Sequence, residues 1–242
     1  MKNVHHREIL KLIEDNSGKA TQHTFLDSYL GNSHPRYAIS APVLRRIAKE
    51  WMRAHKDLTS ETIAALLTSL IEGKSSTEKC MAGILLDCST REQRKFDPSL
   101  FDKWLDHLIG WAEVDTVCTG AYTKSEIPLD VKQWKPLLIK FSKSKNIQKR
   151  RASIVLLCSP LSQDRYDTLA EIALANVDRL KSEKEILITR AISWVLRSMI
   201  RYHRDLVSSY IKENADTLPK IALRETLVKL KTGKKTGGKK AS

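Results

Sequence analysis

The chain has 242 residues, is 41% hydrophobic, and carries a formal net charge of +14, from 42 Lys and Arg against 28 Asp and Glu. That apolar fraction supports a sizeable core and excludes a disordered polyelectrolyte, and the length fits one large domain or two small ones. A positive excess this large favours a polyanionic partner, because each neutralised phosphate releases counterions; charge alone does not separate DNA from RNA or from an anionic membrane surface.

The first sixteen residues, MKNVHHREILKLIEDN, lack the apolar stretch of a signal peptide. The longest near-apolar run, Ile63 to Ile71, is too short to cross a bilayer. No membrane association is expected, and a cytoplasmic, DNA-associated location is. Cys80, Cys88, Cys118 and Cys158 form no CxxC pair and match no zinc spacing, so they read as small apolar residues of a reducing compartment. The seven histidines, including the adjacent His5 and His6, show no HExxH-like or carboxylate-rich spacing. Neither a metal nor a cofactor is expected. No Asn-Gly or Asp-Gly pair marks a hairpin, and the chain reads as all-α.

In chain order, Val4, Ile9, Leu10, Leu12 and Ile13 make residues 3–15 a short amphipathic helix, and Phe25, Leu26, Tyr29 and Leu30 predict a second over 20–31. Gly31-Asn32-Ser33-His34-Pro35 breaks the pattern. Ser40 then caps a helix with Pro42 in its first turn, where a missing N–H is tolerated. Its apolar stripe is Val43, Leu44, Ile47, Ala48, Trp51 and Met52. Arg45, Arg46, Lys49 and Arg53 lie off the stripe and fit either a solvated face or a DNA-facing one. Further helices are predicted at 60–72, 76–88, 98–109, 110–123, 128–143, 146–158, 164–178, 184–202, 204–213 and 217–230. Pro136 falls inside its helix, which puts that boundary in doubt.

A weak repeat runs through this series. Asp115, Ala152 and Ala191 take similar places in successive second helices, 37 and 39 residues apart, close to a HEAT-type helix pair. The expected architecture is a HEAT-like helical repeat solenoid over residues 1–230, its second helices lining a concave basic groove. Residues 231–242, rich in Lys, Gly and Thr, read as a disordered tail that adds non-specific attraction to phosphate or merely solubilises the end.

Two patterns could carry chemistry. Trp111 and Asp115 are four apart and share a helix face, placing a carboxylate beside an indole. The same spacing fits a boundary tryptophan and a solvated or capping aspartate. In the helix around 184–202, Ile188, Ala191, Ile192, Val195 and Met199 form the buried stripe, while Arg190, Trp194, Arg197 and Arg201 fall on another face. A tryptophan within an arginine stripe fits nucleic acid, and fits equally a Trp packed on the next repeat under Arg stems.

Four blocks in order resemble the AlkD family of DNA alkylation repair glycosylases. They are Tyr29-Leu30-Gly31-Asn32 with the later Ile39-Ser40-Ala41-Pro42-Val43-Leu44-Arg45-Arg46; Trp111-Ala112-Glu113-Val114-Asp115; Gln148-Lys149-Arg150-Arg151-Ala152; and Ala191-Ile192-Ser193-Trp194-Val195-Leu196-Arg197. The resemblance spans most of residues 20–230. It implies a HEAT-like fold, Asp115 as the catalytic carboxylate, Trp111 and Trp194 as cleft tryptophans, Tyr29 as a further cleft residue, and Arg151 near the lesion phosphate. Arg150, Arg190, Arg197, Arg45 and Arg46 complete the expected DNA-binding set. Gly110 stands where some members have a second tryptophan, and Ser193 where glycine is usual.

The implied partner is double-stranded DNA with alkylated bases, bound by a monomer without a cofactor, and the implied reaction is hydrolysis of the N-glycosidic bond of a cationic N3- or N7-alkylpurine. The alternative is a non-catalytic HEAT-repeat module that binds DNA structures or a protein partner. An acid in a phosphate-binding surface weakens binding, so Asp115 favours the enzyme. A helix-hairpin-helix glycosylase is excluded because no Gly-rich hairpin precedes Asp115.

Overall fold

The structure, a computed structural model, describes residues 3–18 and 31–234. The helix expected over 20–31, with Tyr29, lies outside the described residues, as do residues 235–242 of the lysine-rich end. The described chain is all-α, with thirteen α-helices, one 3-10 turn and no strand among the described residues. It divides into two compact units, Met1–Tyr122 and Thr123–Ser242.

The first unit contains α1 (Val4–Asp15), α2 (Ala41–Ala54), α3 (Ser60–Ile71), α4 (Ser76–Cys88), α5 (Leu100–Trp104) and α6 (Gly110–Cys118). Helices α2, α4 and α6 pack in a row, and α1 and α3 cover it. The apolar stripe of α2 does what its spacing dictates: Leu44, Ile47, Ala48, Trp51 and Met52 are all buried. Ser40 occupies the N-cap position with Pro42 in the first turn, but its hydroxyl makes no cap bond. The start of α4 is closed by a full capping box between Ser75 and Glu78. Beneath it lies a buried polar cluster. Glu78 accepts from the Ser75 N–H at 2.8 Å and pairs with His6 Nε2 at 2.9 Å, and His6 Nδ1 meets Ser69 at 2.8 Å. Burial pushes the Lys79 amine down, and that amine donates to the Gly73 carbonyl at 2.8 Å.

The helix predicted over 110–123 stops at Cys118. Gly120 takes φ +100, a left-handed conformation that L side chains rarely adopt. A separate helix, α7 (Ala121–Leu129), begins one residue later and runs across the boundary between the units. The helix predicted over 98–109 is only the five-residue α5 followed by turns. Its Trp104 donates Nε1–H to Thr68 Oγ1 at 2.8 Å, so a buried indole is satisfied rather than orphaned.

The second unit continues with α8 (Val131–Ser142), α9 (Ile147–Leu161), α10 (Asp167–Leu180), α11 (Ile186–Met199), α12 (Arg204–Glu213) and α13 (Lys220–Thr232). Here α9, α11 and α13 pack in succession, and α8 and α10 pack on each other and on α9. This two-layer stacking is what a repeat of helix pairs produces. Ala152 and Ala191, the positions the repeat equates, are both 0% exposed. Pro136 lies within α8, which continues through it. Asn176, wholly buried, ties the layers by donating to the Ser153 carbonyl at 3.0 Å. No helix among the described residues is long and apolar enough to cross a membrane.

Candidate functional site

Helix α6 starts at a tight place. Gly110 has φ +77, and a Cβ there would run into Gly31 and Asn32. Glu113, one turn on, is 0% exposed. Its carboxylate accepts from the Ile109 N–H at 2.7 Å and from His34 Nδ1 at 2.9 Å. A charged acceptor on otherwise unsatisfied N–H groups is what a helix N-terminus favours. Glu113 is therefore committed to holding α6, and Asp115, two residues on, faces elsewhere.

Asp115 lines an open cleft of about 190 Å³ together with Arg45, Gly83, Ile84, Asp87, Thr116, Thr119 and Gly120. Three elements build it. Helix α2 supplies the exposed Arg45, α6 supplies Asp115, and the end of α4 supplies Asp87. Gly83 sits where α4 meets α6: a Cβ there would overlap the Thr116 carbonyl and press on the Val117 nitrogen at 2.8 Å. Only glycine allows this approach, and it brings Asp87 to the same cleft. Asp87 is anchored, since its Oδ1 accepts from the Ala121 N–H at 2.5 Å at the start of α7. The cleft threonines are internally tied, Thr116 Oγ1 to the Ala112 carbonyl at 2.6 Å and Thr119 Oγ1 to the Asp115 carbonyl at 2.7 Å. Behind α6, burial pushes the Cys80 thiol up to about 11, so it stays protonated at neutral pH and fills space.

Trp111, a turn before Asp115, is 39% exposed, a large apolar surface left open in the first turn of α6. Arg46 is exposed as well and reaches Asn16 at 3.3 Å and Glu50 at 3.7 Å. The structure thus brings together Asp115 and Arg45, with Trp111 on the same helix. Asp87, Gly83, Thr116 and Thr119 were not singled out from the sequence. Asp87 in particular carries no periodic signal, because only the Gly83 approach places it here.

In the second unit, Arg190 on α11 is exposed and Trp194 half-buried. Arg197 belongs to a polar cluster with α13. Ser193 Oγ donates to Glu225 Oε2 at 2.6 Å, Arg197 Nε donates to Ser193 Oγ at 3.2 Å, and Arg197 lies 3.4 Å from Glu225. Burial pushes the Arg197 guanidinium down, opposed by Glu225. Ser193, present where the resemblance leads one to expect glycine, has therefore acquired a bond of its own. Arg150 is held by Glu183 through two bonds, at 2.8 and 3.1 Å, and also donates to the Ser144 and Lys145 carbonyls. Arg151 is 4% exposed and donates to the Leu187 carbonyl. As folded here, both arginines fasten α9 to the approach of α11, and a phosphate contact from Arg151 needs that side chain turned outward.

Fold and site together define an all-helical protein of stacked helix pairs with an acid-bearing surface cleft. The chain belongs to the DNA alkylation repair enzyme family, whose model matches residues 9–230. Among solved structures, it is similar to a predicted DNA alkylation repair enzyme from Enterococcus faecalis, with a TM-score of 0.66 and 16% identity over 83% of this chain and 91% of that one. At that identity the likeness speaks for the fold. No curated protein matches the chain. Family membership places the protein among the enzymes of DNA repair.

Proposed function

We propose that the protein is a DNA glycosylase that removes cationic N3- and N7-alkylpurines from duplex DNA. The observation that carries this reading is Asp115, half-buried on the wall of an open cleft with Arg45 on another wall. The neighbouring acid Glu113 is spent on the helix start, so the pair of acids is divided between structure and chemistry.

An alkylated purine of this kind already carries a positive charge, and its bond to C1′ is weak. As that bond breaks, its electron pair goes to the departing base, which leaves neutral, and the sugar gains oxocarbenium character. The Asp115 carboxylate stabilises that charge and orients a water, whose oxygen bonds to C1′ as its proton passes to the carboxylate or to solvent. The products are the free base and an abasic site. Trp111 presents an indole face to the charged sugar or base, worth about 0.5–2 kcal/mol depending on desolvation. Trp194 is assigned the same kind of contact from α11, and Tyr29 that of a further cleft residue.

Phosphate contacts fall best to the exposed Arg45, Arg46 and Arg190, which carry charge at the surface. Arg150, Arg151 and Arg197 share intramolecular bonds, and their part in DNA binding is first to hold α9 and α11.

The test is release of 7-methylguanine and 3-methyladenine from methylated duplex DNA, with wild type and Asp115→Asn side by side. Release by wild type only, with DNA binding equal in both, supports the reading. Binding without release by either protein replaces it with a non-catalytic DNA-binding module. Equal release by both removes Asp115 from the reaction.

A further inference from the structure

Away from the cleft, the first turn of α1 meets the end of α2. His5 and Glu8 lie three apart, so they share a face of α1. His55, the C-cap of α2, completes a trio. One nitrogen of each ring and one Glu8 oxygen all lie within 4.8 Å of one another. His5 Nδ1 is 3.2 Å from Glu8 Oε2, and His55 Nε2 is 3.9 Å from the same oxygen.

We propose that His5, Glu8 and His55 form a binding site for a zinc-like divalent cation, bridging α1 and α2 with water in the fourth position. Two imidazoles and a carboxylate are an established ligand set for zinc at such three-residue sites. The chemistry selects against magnesium and calcium, which need oxygen ligands throughout. Bonds of about 2.0–2.2 Å put tetrahedral ligand atoms roughly 3.4 Å apart, so the trio closes by up to about 1.4 Å through rotation of the His5 and Glu8 side chains.

The orientation of His55 is the independent support. Its Nδ1 faces the Trp51 carbonyl at 2.8 Å. A carbonyl can only accept, so Nδ1 carries the proton and Nε2 is the nitrogen turned to Glu8. Metal-ligating histidines ordinarily have the other ring nitrogen committed in this way. The ring is also clamped flat on Trp51, centroids 3.9 Å apart and 16° between planes, and His5 stands edge-on to both rings at 5.5 Å. The ligands are accessible, with side chains 19%, 45% and 28% exposed for His5, Glu8 and His55. The sequence conceals this site because His55 joins the His5-x-x-Glu8 pair only through the packing of α1 on α2.

Calorimetric titration of the full chain, free of any affinity tag, with zinc tests the proposal, with cobalt as a spectroscopic probe. The expected result is one saturable equivalent of zinc and cobalt bands of tetrahedral intensity without a thiolate charge-transfer band, which distinguishes this site from the four cysteines. Glu8→Gln and His5→Gln, both at exposed or half-exposed positions, are expected to weaken zinc by about 100-fold or more at unchanged helicity. Absence of saturable binding in the wild type overturns the proposal. So does zinc binding unchanged in both variants, or magnesium competing on equal terms. Base release plays no part in the readout, so the two proposals fail separately.

Discussion

Helices α6 and α11 occupy comparable places in the two units, each the second member of a helix pair, yet their central positions have opposite fates. Ala191 on α11 is sealed at 0% exposure, and its polar neighbours Ser193 and Arg197 turn to Glu225 on the next helix. Asp115 on α6, at the same phase of the repeat, lines an open cleft. What differs is the neighbour. Beside α6 stands Gly83, and its missing side chain draws α4 against the α6 backbone. A repeat thus dictates where a residue sits on its helix, and the neighbouring side chains decide whether that place becomes core or site. A carboxylate at the sealed alanine position would carry a large desolvation penalty, which the half-buried place on α6 avoids.

The largest expected difference between the two regions is chemical. Asp115→Asn is expected to lower base release by about 10²–10³, the usual loss when one preorganised transition-state stabiliser is removed. Glu225→Gln, in the other unit, should leave single-turnover release within a few-fold. Comparable losses from both, measured on the same methylated duplex, would erase the distinction drawn between cleft and brace.

Next is the packing that opens the cleft. Gly83→Ala places a methyl group against backbone atoms of Thr116 and Val117, which cannot rotate away. Overpacking of this kind costs about 1–3 kcal/mol, offset by about 1 kcal/mol of helix propensity. A lower denaturant midpoint, together with slower base release, is expected. An unchanged midpoint would mean that the close approach of α4 is not a constraint.

Glu225→Ala addresses the other side. It leaves the Ser193 hydroxyl without its acceptor and the half-buried Arg197 without its carboxylate partner, at a cost of about 1–3 kcal/mol by denaturant unfolding. Glu225→Gln, which keeps an acceptor for Ser193, should recover part of that loss. The smallest effect is expected of Arg45→Ala. Its exposed side chain should matter within about 0.5 kcal/mol for stability, while the salt slope of DNA binding falls by about 1. By contrast, Arg150→Ala gives up two bonds to Glu183 and should register first in stability. Reversal of that order would reassign which arginine meets phosphate.

Much of the fold was legible in the sequence because helical periodicity is local. The buried face of α11, with Ile188, Ala191, Ile192, Val195 and Met199 all at 0% exposure, is the one its spacing predicts. The stripe of α2 is likewise buried as read, except Val43 in its first turn, which is only half-buried. Where the reading slipped, the cause was a conformation that spacing does not encode. Gly120 turns left-handed and splits 110–123 into two helices, whereas the helix read through Pro136 holds as α8.

The sequence by itself determined the helical class, the phase of the buried stripes of α2 and α11, the repeat of alanines in the second unit, and the candidacy of Asp115 and Trp111. All of these depend on residues within a few turns of one another. Only the tertiary structure decided that Glu113 serves the helix start and leaves Asp115 to the cleft, and that Asp87 and Arg45 join Asp115. It alone showed that Arg150, Arg151 and Arg197 are braced from within, and that His55 meets His5 and Glu8. Each of these turns on which side chain stands across a helix–helix contact, and that is set by the packing of residues far apart in the chain.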